Sequence, residues 1–287
     1  MSLPRIAIMQ GRLLPPEDGR FQCFPRAQWE QEFGHAASAG LDAIEWIYDV
    51  HGAEVNPLAS DEGIASMRSL SGRHGIAVVS LCADYFMDRP FLTADTLEFA
   101  ELRERLVWLI ERCRMAGIGR IVLPFVDASQ IRSVDQADRV LRLLSGVLPY
   151  ASACRVELHL ETSLAPARFA ELLDAIPHPM LKANYDSGNS SSLGYDVRQE
   201  LAAYGSRIGS VHIKDRVRGG GTVPLGSGDA EIPVLLSGLA DLNYEGDYVL
   251  QVARSADGEE IAWARANRQY LQQQLEQAKS AFSGSPR

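Results

Sequence analysis

The chain has 287 residues, 46% hydrophobic and 23% charged, a globular balance with enough length for one large core. A net charge of −9 and an isoelectric point near 5.2 argue against a broad nucleic-acid or anionic-membrane surface, while leaving room for a local basic pocket. No apolar run approaches the roughly 20 residues that span a bilayer, and the opening MSLPRIAIMQGR is too soon polar for a signal peptide.

Residues 5–10 (RIAIMQ) are a short apolar run ended by Gly11, the pattern of a first buried strand. A loop rich in proline and glycine follows. Trp29, Phe33, Ala36 and Ala37 then predict a helix over residues 27–39, closed by Gly40. Residues 42–49 (DAIEWIYD) give the second strand. Ile64, Met67 and Leu70 mark the second helix, stopped by Gly72 or Gly75. Residues 76–85 form the third strand. Leu102, Leu106, Leu109, Ile110 and Cys113 mark a third helix, ended at Gly117. Residues 120–127 are the fourth strand, and Val134, Val140, Leu141, Leu144 and Leu148 mark the fourth helix.

The pattern continues in the second half. Residues 156–162 (VELHLET) are the fifth strand, and Phe169, Leu172, Leu173 and Ile176 the fifth helix. LKANYD is the sixth strand, before a helix near 197–204. RIGSVHIK is the seventh strand, followed by the glycine-rich GGGTVPLGSGD and a helix near 231–240. DYVLQVA is the eighth strand. A last helix covers about 259–280, and residues 281–287 are expected to be a disordered tail. Eight strand–helix alternations with no break in composition predict a single α/β domain over residues 1–280, a (β/α)8 TIM barrel. The rival open doubly wound sheet lacks a GxGxxG after its first strand.

Barrels of this kind carry chemistry at the C-terminal ends of their strands. Glu161, Asp186, His212 and Gln251 stand there, on the last four strands. Alternate residues of a strand share a face. Glu157, His159 and Glu161 therefore point one way, as do Lys182, Asn184 and Asp186, and Ser210, His212 and Lys214. Their opposite faces are apolar, so the polar sets point into the barrel, where they must pair; Glu157 with Lys182 is one such pair. Oxygen and imidazole donors suit Mn2+, Mg2+, Co2+ or Zn2+. The plain alternative is a set of satisfied polar core residues. Cys23, Cys82, Cys113 and Cys154 are scattered without a CxxC, which fits a reducing cytoplasm better than a disulfide or zinc framework.

The run Glu161, Asp186-Ser-Gly-Asn189, Val211-His-Ile-Lys-Asp215 and Pro224-Leu-Gly-Ser-Gly-Asp229 resembles the xylose-isomerase-like TIM barrel superfamily of sugar and sugar-phosphate isomerases and epimerases. The resemblance covers essentially the whole chain. It implies one divalent metal held by Glu161, Asp186, His212 and the fourth position, where the family has glutamate and this chain has Gln251. It also implies an enediolate mechanism with Glu161 as base, in which the missing glutamate would have served the opposite face. An amide oxygen can hold a metal but takes no proton. Three readings stay open: isomerisation through one base; a second proton from Glu45, Asp84, Asp215 or Lys214; or sugar binding without turnover. A dehydratase or lyase built on the same enolate chemistry is a further alternative.

By resemblance, the substrate is a sugar or sugar phosphate and the chain forms a dimer or tetramer. Gln10, Arg12, Glu45, Asp84, Asn189 and Arg254 are candidate substrate contacts, each with an ordinary loop or ion-pair role as its alternative. Lys214 is a candidate to neutralise an enediolate; its alternative is an ion pair with Asp215. The distant DNA-repair branch of this barrel needs more histidines and a basic groove than six His and a charge of −9 provide.

Overall fold

The computed structural model describes residues 4–283. The strands are β1 Ile6–Met9, β2 Ala43–Ile47, β3 Ala77–Cys82, β4 Arg120–Phe125, β5 Glu157–Thr162, β6 Leu181–Asp186, β7 Ile208–Ile213, the two-residue β8 Asp215–Arg216 and β9 Thr222–Val223, and β10 Tyr248–Leu250. The helices are α1 Gln31–Ala39, α2 Asp61–His74, α3 Tyr85–Asp88, α4 Thr96–Ala116, α5 Val134–Cys154, α6 Pro166–Asp174, α7 Ser187–Leu193, α8 Val197–Tyr204, α9 Ile232–Asp241 and α10 Glu260–Ser283. Eight strands close a parallel barrel in the order β1-β10-β7-β6-β5-β4-β3-β2, so the predicted (β/α)8 architecture is the observed one. The short β8 and β9 pair antiparallel outside it. No described helix is long and apolar enough to cross a membrane.

Local chemistry sets the helix ends. Ser60, Asp95 and Ser133 cap α2, α4 and α5 by accepting from backbone N–H groups of the first turn. Gly40, Gly75 and Gly117 end α1, α2 and α4 in the left-handed conformation. The second helix thus stops at Gly75, not Gly72. Helix α10 runs to Ser283, three residues into the segment expected to be tail; residues 284–287 lie outside the described chain. The outer layer is apolar, as at Trp46, which is fully buried against Phe24, Trp29 and Phe33 of the first loop and helix.

The barrel interior is polar through much of its height. Glu157 meets Lys182 at 3.2 Å, the pair expected from strand parity. His159 contacts Glu157 at 2.9 Å and the Ser210 hydroxyl at 2.7 Å. Ser210 donates to Asn184, and Asn184 donates to Glu161 at 2.9 Å. Each of these polar groups finds a partner in the next layer, as a low-dielectric interior demands. This ladder climbs from the floor of the barrel to its mouth and ends on Glu161.

Candidate active site

Three strand ends deliver three of the four predicted donors to one place. Glu161, Asp186 and His212 are buried and offer ligand atoms within 4.8 Å of one another. Their strands β5, β6 and β7 are neighbours, and inward parity aims all three at the mouth. His212 Nδ1 lies 3.3 Å from Glu161 Oε2 and 3.7 Å from Asp186 Oδ2. Its Nε2 lies 2.7 Å from Glu45 Oε1 on β2, across the barrel. Ser80 donates to the other Glu45 oxygen at 2.6 Å.

These contacts set the charges. Burial works against a charged imidazole, but Glu45, Asp186 and Glu161 around it hold the His212 pKa well above its ordinary value. Burial alone would raise the Glu45 carboxyl; His212 and the Ser80 hydroxyl hold it below the usual range. Asp186 is likewise held low, against its burial, by Lys214 and His212.

Glu161 is oriented at both oxygens. Asn184 donates to Oε2 and Asn189 Nδ2 to Oε1, the latter at 2.6 Å. Asn189 belongs to α7, a helix that SGNSSSL does not suggest from propensity. It forms because Asp186 Oδ1 accepts from the Asn189 N–H as its cap, and because Ser190 donates to the buried Glu200 carboxylate, which also binds Tyr185 and Tyr204. Gly188 of this helix has a steric role: a Cβ there would meet Lys214 Cγ at 2.5 Å. The lysine stem uses that space to reach Asp186.

Lys214 Nζ stands 2.9 Å from Asp186 Oδ2 and 3.3 Å from Asn189 Oδ1. Its ion pair is therefore with Asp186, not with the neighbouring Asp215. Asp215 instead accepts from the N–H groups of Gly226, Gly228 and Ala230, fixing the glycine-rich loop. Gly220 O in that loop is held by Arg216, which also donates to Asn189 Oδ1 at 3.1 Å.

The remaining candidates divide. Gln251 follows β10; its Nε2 donates to Gln22 Oε1 at 3.1 Å, while its Oε1 is buried without a partner. Gln22 Nε2 donates in turn to Asp84 Oδ2 at 2.8 Å. Arg12 and Arg254 are spent on the first loop. Arg12 donates to the Val252 and Phe21 carbonyls and to Gln22, and Arg254 to the Gly11, Leu14 and Phe21 carbonyls. Burial and the Arg254 charge lower the Arg12 guanidinium to about 9, still charged at neutral pH. Gln10 Oε1 accepts from the Ile47 N–H, locking β1 to β2. Of the aromatics after β3, Phe86 stacks on Phe91 and Tyr85 packs on Tyr48.

Gln22 and Arg216 were not anticipated. Gln22 lies in a loop whose sequence carries no periodicity, so nothing marked it. Arg216 did carry a signal: it is two residues beyond Lys214, on the same alternating face.

The donor set fits a divalent cation. Gln251 Oε1 is buried with no partner, a costly condition unless a ligand satisfies it, and Asp186 Oδ2 and His212 Nδ1 face each other across 3.7 Å in the same buried cluster. Two carboxylates, one imidazole and one amide oxygen match Mn2+, Mg2+, Co2+ or Zn2+ better than a thiolate-seeking metal.

Comparison with known proteins agrees with this architecture. The family model described as xylose isomerase-like TIM barrel matches residues 33–274. L-Ribulose-5-phosphate 3-epimerase UlaE of Salmonella paratyphi A is 26% identical over 237 residues, 78% of this chain and 82% of that protein. A solved L-ribulose 3-epimerase superposes with a TM-score of 0.76 at 18% identity, over 99% of each chain. The IOLI protein, solved with a bound zinc atom, gives a TM-score of 0.74 at 16% identity, over 98% of this chain and 100% of that one. At such identity the two solved structures establish a shared fold.

Proposed function

The chain belongs to the xylose isomerase-like TIM barrel family, and we propose that it is a divalent-metal-dependent 3-epimerase of a ketopentose 5-phosphate or related ketose. The observation that carries this reading is the convergence of Glu161, Asp186 and His212 at the mouth of the barrel, with Glu161 held at both oxygens by Asn184 and Asn189. Glu161, Asp186, His212 and Gln251 are the residues that would hold the metal. When bound, the cation supplies Lewis acidity toward the substrate carbonyl.

The chain's own groups supply the rest. The Glu161 carboxylate takes the proton from the carbon next to the carbonyl, and the two asparagines fix its direction of attack. Lys214 and Arg216 gather positive charge around Asn189, which suits developing negative charge and an anionic substituent. Named relatives that act on a ribulose phosphate support a phosphorylated substrate. Four buried, unpaired cysteines suit a reducing cytoplasm.

The test is a panel of ketopentose 5-phosphates and free ketoses, each with Mn2+, Co2+, Mg2+ or Zn2+, followed by NMR. The 3-epimer of at least one ketose is expected, with the rate falling at least ~10³-fold in Glu161→Gln. Aldose product instead would make the protein an isomerase. A second reading, sugar binding without turnover, rests on Gln251, whose amide exchanges no proton. Saturable ligand binding without deuterium exchange from solvent into the ligand would favour it.

A further inference from the structure

Epimerisation needs a proton donor on the face opposite Glu161, and Gln251 cannot be that donor. Four groups near the mouth could replace it, and geometry removes three. Glu45 is fully buried and committed to His212 and Ser80. Lys214 is committed to Asp186 and Asn189. Asp215 is occupied by three backbone N–H groups of the glycine-rich loop. Asp84 remains. It lies two residues past β3, on the inward parity of Ser80 and Cys82, and it is only partly buried. Its oxygens accept from the Cys82 thiol at 3.1 Å and from Gln22 at 2.8 Å, both neutral partners that leave it free to change charge.

Gln22 also ties Asp84 to the vacant glutamate position. One Gln22 amide bridges Asp84 Oδ2 and Gln251 Nε2, so the carboxylate absent from β10 has a counterpart one hydrogen-bonded residue away. From this geometry we propose that Asp84 is the second acid/base of this enzyme, opposite Glu161. The inference rests on the epimerase reading above. β3 and β5 flank β4, which sets their axes two strand spacings, roughly 10 Å, apart. Both carboxylates leave the inward face at the C-terminal ends of their strands, Glu161 on β5 and Asp84 just past β3, so that a substrate carbon held at the mouth lies within reach of both. Burial pushes the Asp84 carboxyl up to about 6, against the pull of its bonds from Gln22 and Cys82. Protonated and ionised forms are then both populated near neutral pH, as a reversible acid/base requires.

The step balances. The Glu161 carboxylate breaks the C3–H bond, takes the proton, and leaves an enediolate. The Asp84 carboxylic acid gives its proton to the opposite face of C3, restoring the ketose with inverted configuration. Glu161 ends protonated and Asp84 ionised; exchange with water resets both, and the reverse reaction uses them in exchanged roles.

The experiment follows the metal-loaded enzyme in deuterated water with the best ketose of the panel, in wild type and Asp84→Asn. Two rates are read by NMR: deuterium wash-in at C3 of unconverted substrate, and epimer formation. In Asp84→Asn, wash-in through Glu161 should persist while epimer formation falls at least ~10²-fold. Persistent wash-in also shows that the variant is folded. Epimer formation at the wild-type rate would overturn the assignment of Asp84. Should Asp84→Asn fail to fold, Asp84→Glu must keep epimer formation while shifting its pH dependence; an unshifted profile would equally overturn it. Absence of both rates in wild type would instead refute the epimerase reading beneath it.

Discussion

Glu32 lies in the first turn of α1, fully buried, and accepts the Gly11 N–H at 2.6 Å. Gly11 has φ 79°, and a Cβ there would meet Cys23 O at 2.8 Å, so this turn admits only glycine without strain. The contact starts the loop that carries Gln22 over the mouth. Burial raises the Glu32 carboxyl to about 7 from its ordinary 4.5, against the hydrogen bond from Gly11. Between those two values the folded chain keeps a proton that the unfolded chain has released. Stability therefore falls as pH rises through this window and stays lower above it. The shift amounts to about 3 kcal/mol at full extent. Glu32→Gln removes the titration while its amide oxygen can still accept from Gly11. Urea unfolding at pH 5 and pH 8 is the assay. The variant should gain up to about 3 kcal/mol over wild type at pH 8 and little at pH 5. An equal gap at both values, or a variant less stable at pH 8, would refute the reasoning.

Other perturbations address the site and the core. Gln251→Glu adds a negative charge to the donor set and should tighten Mn2+ binding by about tenfold or more; unchanged affinity by calorimetry would remove residue 251 from the set. Gln22→Leu frees the Gln251 amide to turn and should weaken Mn2+ binding on the order of tenfold with helix content unchanged; unaltered affinity would show that Gln22 does not orient it. Trp46→Ala opens a cavity between Phe24, Trp29 and Phe33 and should cost about 3–5 kcal/mol. A urea midpoint equal to wild type would contradict the packing described.

The barrel was legible because each of its strand–helix units carries its own period and stop. Parity alone placed Glu157, His159, Asn184, Ser210 and His212 in one interior, since a residue's face follows from counting along a strand. Loop chemistry was not legible in the same way. Adjacency in the chain points Lys214 to Asp215, and only the fold shows that Asp215 is taken up by Gly226, Gly228 and Ala230 while the lysine reaches Asp186. Arg12 and Arg254 looked suited to a ligand because they leave barrel strands, yet the first loop turns back and offers them carbonyls. Helix α7 escaped the pattern because its stability comes from the Asp186 cap and from Glu200, ten residues beyond Ser190, not from its serines.

The most direct test of the account is the metal content of the chain purified without chelator, by mass spectrometry. It predicts about one Mn, Co, Zn or Mg ion per chain in wild type, and loss of that ion in folded Asp186→Asn and His212→Ala variants. A wild-type protein that takes up no divalent ion, or variants that retain it in full, would contradict the assignment of Glu161, Asp186, His212 and Gln251 as its ligands.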